Sequence, residues 1–225
     1  ERGFRYPEHM PEGILMATVY EEKIPSRKNP VYAEVLKKGS GQVALMREQL
    51  EQLLPEDPYI QRGTMYGKLD LRAFQRYKRE VREGKVPNPR VRCKKIIEKR
   101  EVAAILALNL SRSANAPLQG ITPRAAMQQL MVYFSEASQQ LGDEVGLYGF
   151  SGIGRDNVVI YTFKELEEPF SEDVFYRMAF VVGHDHNRNG AVYRHFTHRL
   201  EEVKAEKKLF LEICPVFAPS DLKYE

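Results

Sequence analysis

A doubly wound (Rossmann-like) α/β sheet preceded by a helical extension is the fold this sequence predicts, and three observations predict it. "VAAILALNL" (102–110) is an unbroken apolar run, the mark of a strand covered on both faces. From there onward strand-like and helix-like stretches alternate. Before it, two stretches carry apolar residues at helical spacing. A length of 225 residues suffices for one large α/β domain with an extension, and the predicted division is 1–100 for an extension with a helical hairpin and 101–225 for the sheet domain.

The elements follow in order. Residues 1–28 are rich in Pro, Gly and charge, with one strand candidate, "GILMATVYE" (13–21). Over 29–58, Val43, Leu45, Leu50, Leu53 and Leu54 recur at helical spacing until Pro55 and Pro58 stop the helix. "QRGTMYGK" (61–68) reads as a turn or short hairpin. Asp70 caps a second helix, whose Leu71, Phe74, Tyr77 and Val81 make one face and which Gly84 ends. These two helices are expected to pair antiparallel. After the strand at 102–110, a helix spans 122–143 with Thr122 as cap, Pro123 in its first turn and Gly142 at its end. "EVGLYGFSG" (144–152) and "DNVVIYTFK" (156–164) are strands joined by a Gly-rich turn, hence a hairpin. A short helix capped by Ser171, a long helix over 190–208 and a buried strand "LFLEICPVF" (209–217) complete the pattern. One sheet is expected from 102–110, 144–150, 157–163 and 208–214, with 102–110 central.

Composition excludes several classes. Thirty-four Lys/Arg against 31 Asp/Glu leave a net charge of +3, too small for a whole-molecule field toward nucleic acid. Locally "RVRCKKIIEKR" (90–100) is basic, a solvated strand or turn by default and a surface for phosphate or an acidic partner otherwise. Two cysteines, Cys93 and Cys214, stand far apart and form neither a disulfide framework nor metal-ligand spacing, which points to a reducing compartment. No apolar run is long enough to span a bilayer. The first residues, "ERGFRYPEHMPEG", have no apolar signal core and no initial Met, so a processed product or a piece of a longer protein is expected.

In a doubly wound sheet, ligands bind at the carboxyl ends of strands. There the first strand ends in "LNLSRSAN", with Ser111 and Ser113 at alternate positions after Asn109. Their hydroxyls can converge on a hard cation such as Mg²⁺, but such an ion normally takes at least one carboxylate, and Asn109 supplies only an amide. The strand ending "LFLEICPVFAPSD" delivers Cys214, Pro215 and Val216 where a second acid would serve. Chemistry alone therefore predicts no strong metal site. "VGHDHNRNG" (182–190) offers His184, Asp185 and His186 as an alternative chelate or acid/base set, against the plainer reading of a polar surface loop. His195 and His198 join it only if that loop folds back. "GFSGIG" (149–154) joins strand to strand and makes a poor phosphate cradle.

"LNLSRSAN" also resembles the Asp-x-Ser-x-Ser motif of von Willebrand factor A domains, with Asn109 in place of the Asp. More specifically, the chain resembles the C-terminal part of the nitric oxide reductase activation protein NorD and the related rubisco activase subunit CbbO. The stretches "FRYPEHMPEGILMATVYE", "LDLRAFQRYKREVREGKVPNPRV", "LGDEVGLYGFSGIGRDNVVIYTFKELEEPF" and "APSDLKYE" carry that likeness. It implies a von Willebrand factor A domain that stops short of the usual C-terminal strands, and it places the family's metal-site threonine on Asn187 and its later Asp on Val216. Both acids and the threonine are then lost, leaving a degenerate adhesion site of Asn109, Ser111, Ser113 and Asn187.

The function implied is non-enzymatic. The resemblance implies a cytoplasmic adaptor or activator that works with a MoxR-type AAA+ ATPase to remodel or mature a target metalloenzyme, without nucleic acid, transmembrane segment or cofactor, Mg²⁺ being the one candidate ion. The alternative is a metal-independent structural subunit of a larger complex. A metal-dependent enzyme built on His184, Asp185 and His186 is the third reading.

Overall fold

The computed structural model describes residues 3–10, 13–53, 58–97, 101–115, 122–180, 182–183, 186 and 188–215. In chain order the elements are β1 (Phe4–Met10), β2 (Gly13–Lys23), α1 (Val31–Leu53), β3 (Pro58–Thr64), β4 (Lys68–Leu69), α2 (Leu71–Arg82) and β5 (Arg92–Ile97). Then come β6 (Val102–Asn109), α3 (Pro123–Leu141), β7 (Glu144–Ile153), β8 (Asn157–Lys164), α4 (Glu172–Arg177), α5 (Asn189–Glu202) and β9 (Lys207–Ile213). They form two units, one of residues 1–52 with 101–225, the other of residues 53–100. The expected division at 100/101 thus changes on its N-terminal side, because residues 1–52 belong with the large sheet. The two helices expected as a hairpin fall in different units, with β3 and β4 between them in the chain.

The larger unit is a mixed α/β structure around a six-stranded sheet of order β1-β2-β8-β7-β6-β9. Strand β6 runs parallel to β7 on one side and to β9 on the other. Its alternation explains the unbroken apolar run. Ala104, Leu106 and Leu108 pack with Met127, Met131 and Phe134 of α3 and with Tyr32, Val43 and Leu50 of α1. Ala103, Ile105 and Ala107 share a second cluster with Ala191, Val192, Phe196 and Leu200 of α5. Both faces of the strand are covered, which is why both parities are apolar from Val102 to Leu108. The four strands expected in one sheet are neighbours, and β6 is interior, one strand in from the β9 edge.

Strands β7 and β8 form the expected antiparallel hairpin, with Gly154 in the left-handed region at φ +65° in its turn. Thr122 Oγ1 accepts from Ala125 N at 3.3 Å at the start of α3, and Gly142 closes that helix at φ 76°. Helix α1 is interrupted at Gly39, whose φ of −120° and ψ of 22° are not helical. A Cβ there would lie 2.2 Å from the Tyr133 ring of α3, so glycine permits the close approach.

Three expectations change. β1, in a segment read as irregular, pairs antiparallel with β2; Pro7 is tolerated because β1 is an edge strand. Helix α5 ends at Glu202 instead of Lys208, because Lys207 and Lys208 are taken into β9 by pairing with Val102 and Ala103. Residues 58–64, read as a helix stop followed by a turn or short hairpin, and 92–97, read as a solvated strand or turn, are paired strands of the smaller unit.

That unit is a three-stranded antiparallel sheet of order β3-β5-β4 with helix α2. Asp70 caps α2 as expected, accepting from Arg72 N at 3.1 Å and Ala73 N at 3.3 Å, and it also accepts from Arg62 at 2.8 Å. Gly67, at φ +106°, lies where a Cβ would be 2.3 Å from the Cys93 carbonyl oxygen, so only glycine fits. Among the described residues, no helix is long and apolar enough to cross a membrane.

Candidate functional site

The carboxyl ends of β6 and β9 and the start of α5 bring together a polar cluster. Asn109, fully buried, ends β6, and the backbone continues into a 3-10 turn at Arg112–Asn115. The Asn109 side-chain oxygen accepts from Ser111 N at 3.2 Å, which aims its amide nitrogen the other way, toward β9. That nitrogen donates to Glu212 Oε1 at 3.3 Å and to Cys214 Sγ at 3.4 Å. Asn189 Nδ2 donates to the same carboxylate oxygen at 3.3 Å, and the Tyr193 hydroxyl donates to Glu212 Oε2. Burial first, and then the Glu212 carboxylate, push both the Tyr193 hydroxyl and the Cys214 thiol above their ordinary pKa values. Asn115 clamps the neighbouring loop, donating to the Gly183 carbonyl at 3.0 Å and accepting from Gly183 N at 3.3 Å.

Ser111 and Ser113 do converge, with their hydroxyl oxygens 2.7 Å apart and hydrogen-bonded to each other. The donor set fits Mg²⁺ poorly. Among the described residues, two neutral hydroxyls face the site, the Asn109 oxygen is engaged by the backbone, and the Glu212 carboxylate is held by three side-chain donors. Asn187, His184, Asp185 and Val216 lie outside the described residues. His186 is described and exposed, and its backbone bridges to Gly152 at 2.8 and 3.1 Å. Among the described residues, no group of three His, Cys, Asp or Glu side chains could hold a metal ion.

Asn109→Asp is expected to destabilise the fold in EDTA by about 2 kcal/mol, because it sets a second carboxylate against Glu212 in a buried position. Urea denaturation at pH 7 checks this, and an unchanged midpoint would contradict the Asn109–Glu212 contact.

A second polar network ties β1 and β2 to α5. His195, 1% exposed, lies 2.8 Å from the Tyr6 hydroxyl through Nδ1 and 2.8 Å from Glu21 through Nε2. Arg199 donates to Glu21 at 2.6 Å and to Glu165 at 2.6 Å, and Glu165 also accepts from Tyr148 at 2.8 Å. A neutral ring, with Nε2–H donating and Nδ1 accepting, satisfies every bond His195 makes. Both histidines of α5 have other side-chain partners. His195 is committed to Tyr6 and Glu21, and exposed His198 lies 3.6 Å from Glu202.

Glu21 is held below its ordinary pKa of 4.5, first by the hydrogen bond from His195 and then by Arg199, which outweigh its partial burial. Its folded pKa being the lower one, this stabilisation is complete above pH 4.5 and is lost as pH falls through the folded value. The urea midpoint of the wild type is therefore expected to fall more steeply below pH 4.5 than that of Glu21→Gln; parallel curves would remove Glu21 from the acid response.

No family model matches the chain. Over 179 residues it is 25% identical to protein NorD of Stutzerimonas stutzeri, covering 79% of this chain and 29% of that protein. Against protein NorD of Brucella abortus, identity is 24% over 210 residues, 93% of this chain and 32% of the relative. The chain is similar to NorD. An uncharacterized protein of Pseudomonas aeruginosa is 29% identical over 161 residues, 70% of this chain and 26% of its own length. The chain thus spans about a third or less of the length of the curated relatives it matches.

Sequence reading reached Asn109, Ser111 and Ser113 but missed Glu212, Asn189 and Tyr193. A signal for Glu212 did exist, because it is the one charged residue inside the apolar stretch "LFLEICPVF". An acid inside a strand of that kind needs buried partners. Tyr6, Glu21, Tyr148 and Glu165 carried no such mark, since their partners lie on distant elements.

Proposed function

We propose that this chain is a non-enzymatic accessory module that binds another protein through the carboxyl-end face of its large sheet. It does so in the manner of a von Willebrand factor A domain whose adhesion site works without a metal. Its partners are a MoxR-type AAA+ ATPase and a target metalloenzyme that the pair remodels or matures, in the cytoplasm. The observation that carries this reading is the cluster of Asn109, Asn189 and Tyr193 around Glu212. A side-chain amide and two further donors occupy the carboxylate, so the face is organised by internal hydrogen bonds and presents Ser111, Arg112 and Ser113 beside it. With these the resemblance places Asn187. The similarity to NorD supports the accessory class. The interior β6, flanked by two parallel strands with the antiparallel β8 beyond β7, supports the domain type.

Affinity capture from the native source, in Mg²⁺ with or without a slowly hydrolysed ATP analogue and, in a separate arm, with an EDTA wash after capture, tests the reading. A AAA+ ATPase retained in EDTA and responsive to nucleotide is expected, with Arg112→Glu weakening the capture of ATPase or target. Elution of the partner by EDTA would defeat the metal-independent face. A constant stoichiometric partner indifferent to nucleotide would favour the structural-subunit reading instead.

A further inference from the structure

The smaller unit carries a charge that the whole-chain balance conceals. Residues 53–100 hold fourteen Lys/Arg against six Asp/Glu, whereas the full chain is only +3. Within its sheet, 58–69 and 92–97 carry five Lys/Arg and no acid. Lys94 and Lys95 are exposed on β5 and make no ion pair among the described residues. Basic side chains that compensate no internal acid leave a local field of one sign.

Strand β3 lies at the edge of that sheet, whose order is β3-β5-β4. One side of it pairs with β5 from Pro58 to Thr64. Its other side makes no backbone hydrogen bond among the described residues. An open edge is a row of N–H and C=O groups ready to pair with another strand, and proteins ordinarily guard it with Pro, a bulge or charge. Here Pro58 and the bulge between Arg62 and Thr64 guard only the two ends. Between them Tyr59, Ile60 and Gln61 are uncharged and exposed, Tyr59 by 45% and Ile60 by 57%. The register sets Ile60 opposite Lys95 and Gln61 opposite Lys94, so each face of this edge has a lysine one strand inward. Arg62 is committed to Asp70. Open backbone, apolar surface and positive charge thus meet along one strand.

We propose that the outer edge of β3 takes up an extended, acidic segment of another protein as a fourth strand of the small sheet. Backbone amides supply the pairing, and carboxylates on the added strand meet the field of Lys94 or Lys95, according to face. A second copy of this chain is the wrong occupant, because two units of like charge would face each other. Nucleic acid has the right sign but no amide ladder to offer the edge. No apolar side chain of 58–97 is fully buried among the described residues, so the small sheet gains cover from a further strand. This edge is separate in sequence and fold from the carboxyl-end face and stands whether or not that face binds a partner.

Fluorescence anisotropy with the intact chain tests this with three labelled probes: a peptide alternating Val and Glu, the same peptide N-methylated throughout, and single-stranded DNA of matching length. N-methylation keeps every side chain and charge but leaves no N–H to donate. The unmodified peptide is expected to bind at least about tenfold more tightly than the methylated one at low salt, and to slow amide hydrogen exchange within 59–62. Lys94→Glu/Lys95→Glu is expected to weaken it at least about tenfold, with circular dichroism confirming that the variant stays folded. Equal affinity for the two peptides would reduce the effect to charge and end the proposal, as would no binding at low salt or no protection of 59–62. DNA binding tighter than the peptide would overturn it in favour of nucleic acid. A dimer of the free chain that protects 59–62 in the same way would give the edge to a second copy instead.

Discussion

Leu106→Asp is expected to leave no cooperatively folded protein. Leu106 is 2% exposed in the middle of β6, opposite Leu147 on one side and Leu211 on the other. Its cluster includes the inner faces of α1 and α3, so no water-filled path reaches an introduced carboxylate. Burying that group unpaired costs several kcal/mol, or a large upward shift of its pKa. Loss of the leucine adds about 2–5 kcal/mol more by the standard of large-to-small core changes. Together these equal or exceed the roughly 5–15 kcal/mol that holds a typical domain folded. Leu106→Ala separates the two causes, since it opens the cavity without the charge and is expected to melt cooperatively at a lower temperature. Soluble Leu106→Asp protein with the wild-type melting temperature would contradict the double burial of β6.

Arg199→Met is expected to cost about 2 kcal/mol, below the roughly 3–5 kcal/mol of a fully buried broken pair because a quarter of the side chain is exposed. The guanidinium bridges Glu21 and Glu165 at 2.6 Å each and lies over the Tyr148 ring, 5.7 Å from its centroid. Removing it leaves two carboxylates facing a shared space with His195 and Tyr148 as their remaining donors. Arg199→Lys is expected to recover less than half of the loss, since one ammonium on a flexible stem does not span both carboxylates as the planar fork does. A double-mutant cycle with Glu165→Gln checks the assignment. A coupling energy near zero would mean that Arg199 contributes only by packing.

Local pattern carried much of the fold into the sequence, element by element. Period and caps located α3, with Thr122, Pro123 and Gly142 each in the expected role. The apolar run of β6 and the Gly-rich turn between β7 and β8 likewise needed no information from elsewhere in the chain. Elements whose stability comes from distant partners were not legible. β1 contains Pro7 and charged residues, and it becomes a strand because β2 pairs with it and α5 offers it His195. The small sheet joins Tyr59 to Ile96 across 37 positions of sequence. Lys207 and Lys208, good helix formers, are strand residues only because β6 stands ready to pair with them.

The candidate site divides along the same line. By itself the sequence determined that Ser111 and Ser113 stand at alternate positions after a buried strand and that Asn109 cannot supply the charge a hard cation needs. Only the tertiary structure decided where the acid stands, because Glu212 reaches Asn109 through the parallel pairing of β9 with β6, and Asn189 and Tyr193 reach it from α5. It also decided that His195 faces Tyr6 and Glu21, and that an even overall charge divides into a strongly basic unit and an acidic remainder. The physical reason is one of range. Periodicity, capping and residue chemistry act over a few neighbours and are written in order along the chain. A buried hydrogen bond between residues a hundred positions apart exists only once the sheet and helices have closed around it.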